Sequence, residues 1–232
     1  MKAIILAAGS GTRIKEITSS QPKTLLKIGN QSIIERLINQ FKENGIEEVV
    51  VVTGYESDFL QNYLYKFKNV RCIKYDNFQN TNNLYTLWSV SNEIKNNIII
   101  SFADLILENK IISSLIRSDG DIVMATDNSS ILPDTMKVRC EGTNLKSITL
   151  TSADEATGNF IGIGKFNNNG CEILREYLDK MVKKQHTKDY YTIAVNAYLN
   201  DGGNVTALNV DGLKWIEIDN KENYLNAKNI FE

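Results

Sequence analysis

Ala3-Ile4-Ile5-Leu6-Ala7-Ala8-Gly9-Ser10-Gly11-Thr12-Arg13, continued by Pro22-Lys23, is the stretch on which the reading of this chain turns. Ala3 to Ala7 is a short, unbroken apolar run, the pattern of a strand buried on both faces inside a parallel sheet. It breaks into two glycines separated by a serine and followed by an arginine. Glycines at such a point let the backbone turn tightly and bring its N–H groups close to an anion. Arg13 and Lys23 add fixed positive charge beside them. A phosphate-rich ligand accounts for all of these features; an ordinary strand-to-helix turn accounts for the glycines alone. No Gly-Lys-Ser/Thr follows, so this is not a P-loop, and Ile14 stands where a dinucleotide fingerprint needs its third glycine.

Moving outward, Ser32 and Glu35 have the spacing of a capping box. Ile33, Ile34, Leu37, Ile38 and Phe41 then share a helical face that ends at Asn44-Gly45. A strand is expected over Glu48–Thr53, a helix from Ser57 to about Phe67 with Phe59, Leu60, Tyr63 and Leu64 inward, and a strand over Val70–Tyr75. Strand, helix, strand, helix, strand requires parallel crossovers. The polar segment Asp76–Asn83 leads into an expected helix over Leu84–Glu93, with Leu84, Leu87, Trp88 and Ser91 on one side. Ile98–Phe102 is the next buried strand, and Asp104 stands just past its end. Ligands bind outside the carboxyl ends of strands in open parallel sheets, so Asp104 is either a site carboxylate or a helix cap.

The second half reads differently. Short strands are expected at Asp121–Thr126, Met136–Cys140, Leu145–Leu150 and Asn159–Phe166, as antiparallel or mixed sheet added at one side. Helices at about Gly170–Lys183 and Tyr190–Leu199, strands at Val205–Val210 and Trp215–Ile218, and a helix at Glu222–Asn229 complete the chain. With no repeat, low-complexity tract or linker, one domain over residues 1–232 is expected. Its fold class is α/β, a three-layer α/β/α sandwich with a mostly parallel, Rossmann-like central sheet and a small mixed-sheet insertion lobe.

Composition narrows the function classes. The 232 residues carry a formal net charge of −2, with basic residues dispersed, which gives no sign of a nucleic-acid surface. No apolar run approaches the ~20 residues needed to span a bilayer, and the opening run is too short for a signal peptide, so a cytoplasmic protein with no membrane partner is expected. Cys72, Cys140 and Cys171 have no paired spacing and read as buried small apolar residues rather than a zinc or disulfide framework. His186, the only histidine, sits among lysines and reads as a surface residue.

Leu6 to Arg13 with Pro22-Lys23 resembles the signature of sugar-phosphate nucleotidyltransferases, and the resemblance runs through the whole chain. Asn82-Asn83-Leu84-Tyr85-Thr86-Leu87, Phe102-Ala103-Asp104 and Glu217-Ile218-Asp219 are similar to one branch, the bacterial phosphocholine cytidylyltransferases and the cytidylyltransferases of aminophosphonate metabolism. Asn159-Phe160-Ile161-Gly162-Ile163 departs from it, since many relatives of the aminophosphonate group carry Glu where Asn159 stands. The resemblance implies a GT-A-like nucleotidyltransferase fold, with residues up to about 120 forming the nucleotide-binding part and about 121–232 the acceptor-substrate part. It implies attack of a phosphate or phosphonate oxygen on the α-phosphorus of CTP, releasing pyrophosphate. Arg13 and Lys23 would act on the triphosphate. Leu6, Ala7, Ala8, Gly9, Ser10, Gly11 and Thr12, with Gln79, Asn82 and Asn83, would contact the nucleotide; otherwise Gln79, Asn82 and Asn83 form a polar loop that caps the helix at Leu84.

On the same grounds Asp104 and Asp219 would share a Mg²⁺ ion, with Glu217 as a third carboxylate. Glu217 and Asp219 alternate along a strand and so face one side, while Ile218 faces the other; otherwise they are a solvated strand end and a helix cap. The acceptor would be a small phosphorylated or phosphonate compound such as phosphocholine or 2-aminoethylphosphonate. Asp189, Tyr190, Tyr191 and Trp215 would then offer aromatic faces and a carboxylate to a cationic group, or else serve as core and rim aromatics. In the phosphocholine branch an aromatic and an acidic residue follow the matching Tyr, where Thr192 and Ile193 stand here. Two other readings stay open: a sugar-1-phosphate nucleotidyltransferase using another NTP, and a nucleotide-binding domain without catalysis. The resemblance also allows a homodimer.

Overall fold

The computed structural model describes residues 1–18, 21–150 and 155–232. In chain order the elements are β1 (Lys2–Ala7), α1 (Lys15–Thr18), β2 (Lys27–Ile28), β3 (Gln31–Ser32), α2 (Ile33–Glu43), β4 (Glu48–Thr53), α3 (Ser57–Leu64) and β5 (Val70–Lys74). Next come α4 (Asn83–Trp88), β6 (Ile98–Phe102), β7 (Leu105–Leu107), α5 (Asn109–Arg117), β8 (Ile122–Asp127), β9 (Lys137–Glu141) and β10 (Asn144–Thr149). The chain continues with β11 (Gly158–Phe166), α6 (Asn168–Lys183), α7 (Thr192–Asn200), β12 (Thr206–Asn209), β13 (Trp215–Glu217) and α8 (Lys221–Phe231).

The apolar opening run lies inside the sheet, as expected. β1 is buried along its whole length and pairs in parallel with β4 on one side and β6 on the other, Ile4 lying between Val50 and Ile100. Because side chains alternate along a strand, β1 supplies both faces of the sheet. Ile4 and Leu6 enter one apolar cluster, where α4, α6 and α7 pack. Ala3, Ile5 and Ala7 enter the other, against α2, α3 and α5. Two cores on opposite faces of one sheet make the three layers.

Among the described residues the sheet has nine strands in the order β5-β4-β1-β6-β11-β8-β12-β10-β9. β5, β4, β1 and β6 are parallel; β11 turns the sheet antiparallel at β6, and β9 also bonds to β11. The mixed sheet expected at one side is therefore present, and its hydrogen bonds make it a continuation of the central sheet.

Local boundaries follow capping and periodicity. Ser32 and Glu35 form the expected reciprocal capping box at α2. α3 stops at Leu64, short of Phe67, and buries Leu60 and Leu64 while Phe59 is exposed. Positions 60 and 64 share a helical face, and Phe59 lies about 100° around from Leu60. The helix expected to reach Glu93 ends at Trp88 and is followed by a single 3₁₀ turn over Ser91–Glu93. Leu84 and Leu87 are buried, whereas Trp88 is exposed at the rim and donates its indole N–H to Asp179. Of the three cysteines only Cys171 is buried; Cys72 and Cys140 are half-buried, a correction to the sequence reading.

A two-stranded antiparallel ribbon, β7 with β13, brings the late part of the chain to the early part. Leu105 lies opposite Glu217, and the Ile218 N–H donates to the Asp104 carbonyl at 2.9 Å. A third apolar cluster fastens this ribbon to the segment after the glycines: Ile14, Ile28, Ile33, Ile106, Ile218 and Ala227. Among the described residues no helix is long and apolar enough to cross a membrane.

Candidate active site

A cleft opens where the carboxyl ends of β1 and β6 meet the β7–β13 ribbon, the position expected for a parallel sheet. One wall is the glycine segment. Gly11 has φ +56°, in the left-handed region, and a Cβ there would lie 3.1 Å from the Lys23 Cβ. Glycine therefore lets this loop fold against the Lys23 turn, which starts directly after the extended Pro22. Leu6, Ala8, Gly9, Gly11 and Thr12 line the cleft with Arg13 and Lys23, whereas Ala7 is buried in β1 and Ser10 is half-exposed outside the cleft wall.

Asp104, Glu217 and Asp219 meet here, one carboxylate oxygen of each lying within 4.8 Å of the others. Three pieces of backbone achieve this. Asp104 follows β6, Glu217 ends β13, and Asp219 precedes the Asn220 cap of α8. The Asp219 N–H donates to the Asn223 side-chain oxygen, which fixes its direction at the start of that helix. β13 ends at Glu217, yet Asp219 still lies on the cleft side while Ile218 enters the third apolar cluster. The expected alternation holds beyond the strand itself.

The cations face these carboxylates. Lys23 Nζ is 2.6 Å from Asp104 and 3.1 Å from Asp219, and an Arg13 guanidinium nitrogen is 3.0 Å from Asp219. Burial works against the Lys23 charge, but the two carboxylates more than offset it and hold its pKa above the ordinary lysine value. Glu217 keeps part of its surface open to the cleft, with protein atoms crowding the rest. Burial, followed by the negative charges of Asp104 and Asp219, pushes its carboxyl well above the usual range. The Tyr190 phenol is raised too, by burial and then by Glu217 and Asp219.

These carboxylates suit a hard divalent cation. Such ions take oxygen ligands and are held by one or two carboxylates together with phosphates, and one Asp104 oxygen is buried without a hydrogen-bond partner among the described residues. An orphaned carboxylate oxygen inside a three-acid cluster is where a cation ligand fits.

The other expected residues divide. Asn82 and Asn83 line the cleft, and Gln79 is exposed outside it. Of the aromatic set only Tyr190 reaches the cleft. Tyr191 is fully buried in the core, its hydroxyl without a partner. Trp215 donates its indole N–H to Asp127 at 2.7 Å and packs on the second core cluster. Asp189 is 2.8 Å from the His186 ring nitrogen and does not line the cleft, so His186 is a half-buried, paired residue rather than a bare surface one. Asn159 is buried, its side chain accepting from the Leu132 N–H and donating to the Asp127 and Ser130 carbonyls. It orders a loop and is not part of the cleft.

Sequence reasoning missed Phe78, Thr81, Thr86 and Phe102, which also line the cleft. Phe102 had a signal, since it sits at the carboxyl end of a central strand two residues before Asp104. Its ring lies 6.1 Å from that of Tyr190. Phe78 and Thr81 lie in a polar loop without periodicity and carry no such signal.

Residues 3–153 match the family described as the MobA-like NTP transferase domain. A CTP:phosphoglutamine cytidylyltransferase of Campylobacter jejuni is 28% identical over 94% of this chain and 96% of its own length. A choline-phosphate cytidylyltransferase of Streptococcus pneumoniae is 36% identical over 51% of each chain. Among solved structures, the CTP:phosphocholine cytidylyltransferase of Streptococcus pneumoniae superposes with a TM-score of 0.82 at 24% identity, covering 100% of this chain and 99% of that one.

Proposed function

Because this chain belongs to the MobA-like NTP transferase domain family, we propose that it is a Mg²⁺-dependent cytidylyltransferase acting on a small phosphorylated or phosphonate compound. The observation that carries this reading is the convergence of Lys23, Asp104 and Asp219, the first and last 196 residues apart in the chain, beside a glycine loop. The cytidylyltransferase names of its relatives favour CTP as the nucleotide.

In the reaction an acceptor oxygen forms a bond to the α-phosphorus of CTP as the bond to the bridging oxygen breaks and pyrophosphate leaves. Such a transfer asks for in-line positioning and charge neutralisation rather than covalent help. Gly9, Gly11 and their neighbours let the phosphates approach the backbone. Arg13 and Lys23 hold the triphosphate and counter the charge that builds on the leaving pyrophosphate. Asp104, Asp219 and Glu217 are the residues that would hold Mg²⁺, which supplies Lewis-acid charge neutralisation when bound. For the acceptor, Tyr190 presents an aromatic face in the same cleft, which suits a cationic amine. Asp189, Tyr191 and Trp215 drop out of this set because other contacts engage or bury them.

Pyrophosphate release from CTP, UTP, GTP and dTTP, each with phosphocholine, phosphoethanolamine, 2-aminoethylphosphonate and glucose 1-phosphate, tests the reading. Turnover is expected with CTP and an amine-bearing acceptor, and to require Mg²⁺. A preference for glucose 1-phosphate would sink the amine acceptor, and absence of turnover with every pair would sink the enzyme.

A further inference from the structure

The two asparagines expected to read the nucleoside are already engaged by protein. Asn82 accepts the Asn83 N–H on its side-chain oxygen at 2.8 Å and donates its amide to the Lys188 carbonyl at 3.0 Å. Asn83 accepts the Tyr191 N–H on its side-chain oxygen at 2.8 Å. We propose that Asn83 is a positioning residue for the acceptor end of the cleft: through the Tyr191 N–H it holds Tyr190 in place. This inference rests on the functional reading above.

The clamp is visible from both sides of Tyr190. The carbonyl before it, on Asp189, accepts from the Leu84 N–H at 3.3 Å. The N–H after it, on Tyr191, goes to Asn83. Both peptide groups flanking Tyr190 are thus tied to the first turn of α4. Two more bonds extend the seam: the Asn82 N–H to the Thr187 carbonyl at 2.8 Å, and Lys188 Nζ to the Asn80 carbonyl at 3.0 Å.

Helix starts leave N–H groups in need of acceptors, and the seam answers that need at two helices together. α7 has no side-chain cap of its own at Tyr191, and Asn83 supplies an acceptor there from α4. α4 in turn uses the carbonyls of residues 187 and 189. Asn83 and Thr81 line the cleft along with the glycine loop, and Tyr190 lines it beside Glu217. Residues 80–84, on one side of the cleft, are thus tied by direct hydrogen bonds to the segment that carries the Tyr190 ring.

The test compares Asn83→Ala with Asn83→Asp, which keeps an acceptor oxygen for the Tyr191 N–H. Amide exchange in the metal-free, nucleotide-free protein is the first readout. Asn83→Ala is expected to speed exchange at Tyr191 at least tenfold while β1 amides are unchanged, and Asn83→Asp to restore it. The second readout is steady-state kinetics with CTP and each of the four acceptors. Asn83→Ala is expected to raise acceptor KM about tenfold, with a smaller change in CTP KM. Unchanged exchange at Tyr191, a rise in CTP KM with acceptor KM unchanged, or no recovery of slow exchange with Asn83→Asp would each overturn the proposal. If the wild-type protein uses none of the acceptors, the cytidylyltransferase reading fails, and exchange at Tyr191 still decides the clamp.

Discussion

The Lys23 ammonium lies 2.6 Å from a carboxylate oxygen of Asp104 and 3.1 Å from one of Asp219, so a side-chain cation already occupies the convergence of the acidic cluster. A divalent ion held by the cluster would have to share it with that charge. Lys23→Met should accordingly tighten Mn²⁺ binding to the nucleotide-free protein by about tenfold, given the strength of a charge at such separation. The same variant should lose about 2–4 kcal/mol in kcat/KM for CTP, the scale of a lost preorganised charge contact. Mn²⁺ titration followed by electron paramagnetic resonance reads the first effect. Weaker or unchanged binding would show that lysine and metal do not compete.

Asp104→Asn and Asp219→Asn should each lower kcat by orders of magnitude with the circular dichroism spectrum intact. The double variant should be little worse than either single one, because both dismantle a single unit. Near-wild-type turnover in one of them would remove that residue from the chemistry.

Glu217 makes stability depend on pH. Its folded-state pKa is raised, so above the ordinary carboxylate range the folded chain binds more protons than the unfolded one. The stability that comes from its protonated form is present at low pH and is lost as pH rises through the raised value. Glu217→Gln carries no charge and should flatten this decline, raising the Tm of the metal-free protein at neutral pH. Thermal scans from pH 5 to 8 check it, and an equal slope in both proteins would refute it.

Tyr191 and Tyr190 should respond in opposite ways despite being neighbours. Tyr191→Phe removes a buried hydroxyl that has no partner and should stabilise the fold by about 1 kcal/mol, leaving acceptor KM unchanged. Tyr190→Ala should raise acceptor KM with little change in CTP KM. Denaturant titration and steady-state kinetics separate the two.

Gly162 and Gly202 share a φ of +86°, but only at Gly162 would a Cβ collide, 2.9 Å from the Phe102 ring that lines the cleft. Gly202→Ala should cost about 1 kcal/mol from backbone strain alone. Gly162→Ala should cost about 1–3 kcal/mol more through overpacking and should also impair turnover. Equal losses in urea titration would mean that the ring moves aside freely.

Much of this architecture is written in local patterns. The unbroken run at Ala3–Ala7 and the Ser32–Glu35 pair specify strand and helix through burial and capping, which depend on near neighbours in sequence. Of the acidic cluster, the pattern marked Asp104 as a carboxylate past a buried strand, and the resemblance to the nucleotidyltransferases joined it to Glu217 and Asp219. The acceptor aromatics were not legible in this way. Tyr190 and Tyr191 are adjacent and chemically alike, and their separation into cleft and core is set by where α7 begins, which a side chain from α4 helps decide. Trp215 is withdrawn by Asp127, 88 residues away. Long-range partners of that kind leave no periodic trace.

The ribbon that carries Glu217 and Asp219 to Asp104 has a consequence for synthesis. A nascent chain lacking residues beyond about 210 can assemble most of the central sheet, including the glycine loop, Lys23 and Asp104. It cannot assemble the full acidic cluster, because β13 and the cap of α8 have not been made. During synthesis, then, Lys23 and one carboxylate of the cluster are made long before the other two. The acidic cluster is completed only when β13 and the cap of α8 join that sheet.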